Sequence, residues 1–302
     1  MSQAEAPRLL SEPRCVWAAG ATLGEGTCWS PSEQALYWVD ILGQQLHRWE
    51  PATGGKQSWD MDDTISAVAE RATQPGLAIT LRRGLALFNP KGRALQMLDA
   101  PEPELPGNRF NDGKCDAQGR FWGGTMDFAC EAPTGSLYRF DAAGQATLAL
   151  QANFPVTNGP TWSRDQRTMF FNDTVHRKVM AYAFDPVTGE VGAGRVWLKF
   201  AEHDGHPDGM TSDAAGRLWI CHWGAACVTC HDPVTAAELL RVPLPTDHIT
   251  NVAFGGPDLT TLHITSARFG LSEAQLAAQP LAGALFTVET NVTGLQPNRF
   301  AG

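Results

Sequence analysis

The stretch Asp116-Ala117-Gln118-Gly119-Arg120-Phe121-Trp122 returns as Asp213-Ala214-Ala215-Gly216-Arg217-Leu218-Trp219, with the two tryptophans 97 residues apart. In both copies Asp and Gly punctuate a turn, and the residues after the glycine start a short apolar run of strand type. Halfway between them lies Met169-Phe170-Phe171, behind the turn Ser163-Arg164-Asp165. Upstream are Leu36-Tyr37-Trp38 and Leu77-Ala78-Ile79, and downstream is Leu262-His263-Ile264 behind Gly256-Pro257-Asp258. One anchor per unit gives Trp38, Ile79, Trp122, Phe171, Trp219 and His263, at intervals of 41, 43, 49, 48 and 44 residues. A period of that size with strand-type anchors predicts an all-β, six-bladed β-propeller. Helical repeats of similar length would carry apolar residues at 3.6-residue spacing over ten or more positions, and these runs are too short for that. Ring closure needs a strand from the other terminus, and Arg14-Cys15-Val16-Trp17 is the candidate. No linker interrupts the pattern, so residues 1–302 are expected to form a single domain.

Composition narrows the function. The chain has 302 residues, net charge −9 and only 18% charged residues, without a Lys/Arg cluster. Nucleic acid and membrane surfaces are therefore not expected partners. No apolar run approaches the ~18 residues of a transmembrane helix. The opening MSQAEAPRLLSEPRC lacks a basic region followed by an apolar one, which predicts no signal peptide and a cytoplasmic location. Seven cysteines at irregular spacing argue against a disulfide framework. The lone Cys227-Val-Thr-Cys230 reads as buried small hydrophobes rather than a zinc or redox pair.

Eleven to thirteen residues before each anchor stands a polar side chain: Glu25, Ser66, Asn111, Asn158, Asp208 and Asn251. In a propeller this position falls near the start of the innermost strand, at one mouth of the axial channel. Asn and Asp beside glycine often only make turns. Six such positions in register, two of them acidic, instead suggest a ring of oxygen donors for a hard divalent cation such as Ca²⁺, Mg²⁺, Mn²⁺ or Fe²⁺. Zinc usually takes His or Cys, and neither occurs at the six positions. Arg109 and Asp112 flank Asn111, and Arg109 is placed over the channel mouth to bind a polyhydroxy substrate. The run His203-Asp204-Gly205-His206 reads as a loop at the pocket rim. No Gly-x-Ser-x-Gly elbow and no phosphate loop are present.

The motifs Leu23-Gly24-Glu25-Gly26, Arg109-Phe110-Asn111-Asp112-Gly113-Lys114, Gly124-Thr125-Met126, Thr157-Asn158-Gly159-Pro160 and Pro207-Asp208-Gly209-Met210 resemble those of the regucalcin/gluconolactonase (sugar lactone lactonase) family. The resemblance runs from about Glu25 to Gly283. It implies a six-bladed propeller with one divalent metal at the axis (Ca, Mn, Mg, Fe(II) or Zn) and hydrolysis of an aldonolactone to its acid in sugar catabolism. By resemblance, Glu25, Asn158 and Asp208 are the metal ligands and Asp208 is also the general base. Arg109 and Asn111 contact substrate. Some members carry an acidic residue shortly after Gly-Thr-Met that helps bind substrate. Here the stretch reads Asp127-Phe128-Ala129-Cys130-Glu131. Asp112, Asp127 and His206 receive no role at this stage. Three alternatives stay open: a non-catalytic metal- or sugar-binding propeller, a hydrolase of another ester class acting on phosphotriesters or larger lactones, which would want a more hydrophobic mouth and a second structural ion, and a protein-contact propeller. The partner expected is a small sugar lactone, and the chain is expected to be a monomer.

Overall fold

A computed structural model describes residues 5–302. Six four-stranded antiparallel sheets follow one another along the chain, each built as an up-and-down meander. Their innermost strands are Gly24–Ser30, Ile65–Glu70, Asn108–Cys115, Thr157–Trp162, His206–Ser212 and Ile249–Gly255. Each inner strand packs against the next, and the sixth returns to the first, so the blades close into a ring. The sixth blade takes its outermost strand from the other end of the chain: Arg14–Trp17 pairs with Leu285–Glu289, with Arg14 opposite Thr287. This closure is the one anticipated from sequence, and it leaves the ring without an open seam.

The six anchors all lie in the second strand of their blades. Trp38, Ile79, Trp122, Phe171 and Trp219 are completely buried and His263 almost so. The repeated Asp-x-x-Gly-Arg-x-Trp unit owes its recurrence to one carboxylate. Asp116 Oδ1 accepts from Gln118 and Arg120 N–H, while Oδ2 accepts from Arg120 Nε at 2.6 Å and Trp122 Nε1 at 2.9 Å. Asp213 repeats this with Ala215, Arg217 and Trp219, whose Nε1 donates to Oδ2 at 3.1 Å. The glycines between have φ of 77° and 86°, the left-handed region that lets the turn close. Asp213 is fully buried. Its replacement by Ala removes the carboxylate that both Arg217 and Trp219 use, and Asp213→Ala is expected to cost about 3–5 kcal/mol. Chemical denaturation would read this as a lowered midpoint, and an unchanged midpoint would contradict the role.

The sixth anchor departs from the aromatic rule. His263 stacks on Trp29 with ring centroids 5.4 Å apart, meets Trp49 edge-on, and has no hydrogen-bond partner on either ring nitrogen. Burial alone pushes its pKa down to about 3. A histidine whose folded pKa lies below its unfolded value contributes stability above the unfolded pKa of about 6.5, and loses it as pH falls toward the folded value. The chain should therefore lose up to about 1.4 kcal/mol per pH unit from this residue below pH 6.5. A His263→Phe variant should flatten that part of the acid limb of a Tm-against-pH curve. An unaltered acid limb would count against it.

Candidate active site

Each of the six inner strands carries a register irregularity, and each falls at or beside the polar position: Glu25/Cys28, Ile65/Ala67, Phe110/Gly113, Asn158/Thr161, Pro207/Met210 and Ile249/Val252. A β-bulge kinks the strand locally and re-aims a side chain. Here the irregularities fall where the polar side chains stand, at one end of the ring of inner strands. At that end lies a cavity of about 260 Å³. Glu25, Asn111, Asn158 and Asp208 line it together with Arg109 and His206. The other two members of the predicted ring do not. Ser66 Oγ is 2.9 Å from Thr80 Oγ1, and Asn251 bridges Thr27 Oγ1 (2.7 Å) and Asp112 Oδ1 (3.3 Å). The ring of six expected from sequence is therefore a cluster of four cavity-lining donors plus two residues that bond their neighbours.

Hydrogen bonds fix the side chains of Arg109, Asn111 and Asn158. Arg109 Nη1 donates to Asn111 Oδ1 at 2.6 Å and to the Phe110 carbonyl at 3.0 Å. Asn111 Nδ2 donates to the Thr157 carbonyl at 2.7 Å and to Asn158 Oδ1 at 3.0 Å. Asn158 Nδ2 in turn donates to Thr174 Oγ1, whose hydroxyl donates to the Pro207 carbonyl. Asn172 Nδ2 holds the Asp208 carbonyl at 2.5 Å. One continuous chain of bonds thus runs from Arg109 in the third blade to the strand that carries Asp208 in the fifth. Glu25 accepts from Gly26 N–H at 3.1 Å.

Asp112 points the other way along the axis. Its oxygens accept from Gly113 N–H, Gly159 N–H and Asn251 Nδ2, so it ties the third blade to the fourth and sixth beneath the cavity. Lys114, partly buried, donates to the Met210 carbonyl at 2.7 Å. Asp127 fastens the loop after Gly-Thr-Met, since its Oδ2 accepts from Glu131 and Ala132 N–H. The pocket-lining side chain of that loop is Cys130, where some relatives were expected to offer an acid. His206 is a cavity residue, with Nδ1 3.0 Å from the Thr174 carbonyl, while His203 is exposed beside Asp204. Cys227 and Cys230 are both buried free thiols, as expected.

The charges at the cavity floor are in conflict. Burial pushes the Glu25 carboxyl up to about 8, and the neighbouring charge of Asp112 adds to it. Asp208 is raised by burial, then by Glu25 and Asp112. Asp112 is raised by burial and opposed by Lys114 and its own N–H donors. Arg109 is lowered by burial and supported by Cys130, Glu25 and Asp208, and its Nε has no partner. Three buried carboxyls share too little positive charge for all to ionise. Among the described residues no three His, Cys, Asp or Glu side chains converge as a ready-made metal group. A cation held here would use the carboxylates of Glu25 and Asp208 with the amide oxygen of Asn158. That all-oxygen set suits a hard divalent ion, and the unmet negative charge is what such an ion would neutralise.

A six-bladed propeller with a carboxylate–amide floor at one channel mouth defines the class of this protein. The family model described as SMP-30/Gluconolactonase/LRE-like region matches residues 23–268, and the chain belongs to that family. It is 36% identical over 281 residues to the pentonolactonase XacC of Haloferax volcanii, covering 90% of this chain and 92% of that protein. It is 36% identical over 285 residues to the L-arabinolactonase of Azospirillum brasilense, covering 93% of each. The crystal structure of the calcium-binding protein regucalcin from Agrobacterium tumefaciens superposes with a TM-score of 0.91 at 30% identity, covering 96% of this chain and 97% of that one.

Proposed function

We propose that this chain is a divalent-metal-dependent lactonase that opens a sugar lactone to its hydroxy acid. The observation that carries the reading is the pairing of Glu25 and Asp208 on one cavity floor with Arg109 and Asn158: both are buried carboxyls raised first by burial, Glu25 next by Asp112 and Asp208 next by Glu25. Family membership and relatives named pentonolactonase and L-arabinolactonase support the substrate class. Glu25, Asn158 and Asp208 would hold the cation. When bound, such an ion acts as a Lewis acid toward a carbonyl oxygen and lowers the pKa of water.

The chain's own groups then have defined tasks. Asp208 is the base that takes a proton from the attacking water, and positive charge beside it favours the ionised form that this task needs. Water adds to the carbonyl carbon, the bond from that carbon to the ring oxygen breaks, and the ring oxygen leaves with a proton as an alcohol. The product ionises to a carboxylate and releases one proton. Arg109, anchored through Asn111, directs its remaining N–H groups to substrate oxygens and stabilises negative charge that develops there. Asn111 holds Arg109 and Asn158 in register and so contributes to substrate binding through its neighbours.

A non-catalytic binding propeller would bind the cation without turnover. Lactone loss and acid formation, followed by NMR for an aldonolactone beside an acyclic methyl ester of the same acid, separate the readings. Ring opening at rates well above the buffer blank supports the lactonase, and none with either compound contradicts it.

A further inference from the structure

The floor of the cavity is polar, but its walls are not. Leu23, Met126, Val156, Val175, Trp223 and Phe269 form them. Two of these apolar side chains remain open to solvent at the mouth, Phe269 at 48% and Val175 at 39% exposure. The wall is held in place. Trp223 stacks on His248 with ring centroids 3.9 Å apart and planes 15° apart, and His248 Nδ1 lies 2.9 Å from the Phe269 carbonyl. Trp223 also bridges to His248 through the backbone. An indole held in place by this stacking and lining a cavity, with unburied apolar surface beside it, is a recognition surface for something apolar.

The supply of free polar partners points the same way. Both amide hydrogens of Asn111 are committed to Thr157 and Asn158, and its oxygen accepts from Arg109. The Thr174 hydroxyl both accepts and donates within the protein. The loop after Gly-Thr-Met presents the Cys130 thiol to the cavity rather than a carboxylate. Arg109 and His206 remain for a substrate once Glu25 and Asp208 serve the chemistry. A substrate hydroxyl placed against the buried Met126 would lose water and find no partner there.

We propose that the Trp223–Phe269 wall binds an apolar substituent on the lactone ring, so that this site accepts alkyl- or aryl-substituted γ-lactones in addition to polyhydroxy ones. The inference rests on the lactonase reading above. The reaction is the same: water adds to the carbonyl carbon, the ring carbon–oxygen bond breaks, and a γ-hydroxy acid with its alkyl chain leaves.

The test is proton release from γ-butyrolactone, γ-hexalactone, γ-octalactone and an aldonolactone, with Ca²⁺, Mg²⁺ and Mn²⁺ each supplied. It is run on the natural chain and on Trp223→Ala and Phe269→Ser. The expected kcat/KM rises about three- to fourfold for each added methylene. The ratio of γ-octalactone to aldonolactone kcat/KM should fall at least tenfold in Trp223→Ala, and by a smaller factor in Phe269→Ser. Phe269 is exposed, so its replacement should not unfold the chain. Aldonolactone turnover with a flat or falling alkyl series, or an unchanged ratio in both variants, overturns this inference alone. No turnover of any lactone overturns it together with the lactonase reading.

Discussion

Asp208→Asn should lower kcat by about 10²–10⁴-fold, the range for loss of a general base, with a further loss in kcat/KM as cation binding weakens. The fold should survive. Asn keeps the size of the side chain, and the Asp208 backbone carbonyl keeps its bond to Asn172. The metal-free variant should even gain stability at neutral pH. The natural Asp208 carboxyl is raised by burial and by Glu25, so its favourable contribution is present below its unfolded pKa and fades as pH rises through the folded value. An amide has no charge to lose this way. Near-natural turnover in a folded Asp208→Asn variant would remove Asp208 from the chemistry.

The second large effect is cation-linked stability. Glu25 has a folded pKa near 8 against an ordinary 4.5, raised first by burial and next by Asp112. Its contribution to the metal-free chain is therefore full below pH 4.5 and is lost as pH rises through about 8. A divalent ion needs the ionised carboxylates and displaces their protons, so its stabilisation should grow over that window. With free ion at 100 times Kd, the gain is about 2.7 kcal/mol, or a Tm rise of roughly 4 °C at pH 8. At pH 5 the rise should be much smaller. Glu25→Gln should abolish most of the difference between the two pH values. A Tm shift independent of pH, or undiminished in Glu25→Gln, would place the cation elsewhere.

Much of this site could be read from sequence because the propeller repeats its burial. An anchor such as Trp122 or Trp219 must be buried wherever a blade begins its second strand, so counting back from it lands on the same structural position each time. That located Glu25, Asn111, Asn158 and Asp208 at one mouth, and Arg109 with them. The same counting could not separate Ser66 and Asn251 from the others. All six sit at bulges, but side-chain direction there depends on the neighbouring blade, and Thr80, Thr27 and Asp112 supply closer partners.

Leu23 and Met126 of the apolar wall stand in the quoted motifs, but the rest of the wall had no comparable signal. Val175 and Phe269 lie outside the strands, and Trp223 ends one, so no periodicity marks them. His206 was visible only as part of a histidine-rich loop. Its place in the cavity depends on the Thr174 carbonyl, 32 residues away in sequence, which no local pattern encodes. Asp112 had no role legible in sequence, because its partners Gly159 and Asn251 lie in two other blades.

The most direct measurement is proton release from a panel of pentono- and hexonolactones by chain stripped with chelator and then reloaded with one divalent metal at a time. Activity lost on stripping and restored by a single ion, with Glu25→Gln unable to recover, is the predicted result. Full activity in the stripped chain, or tight ion binding without turnover of any lactone, would contradict a metal-dependent lactonase.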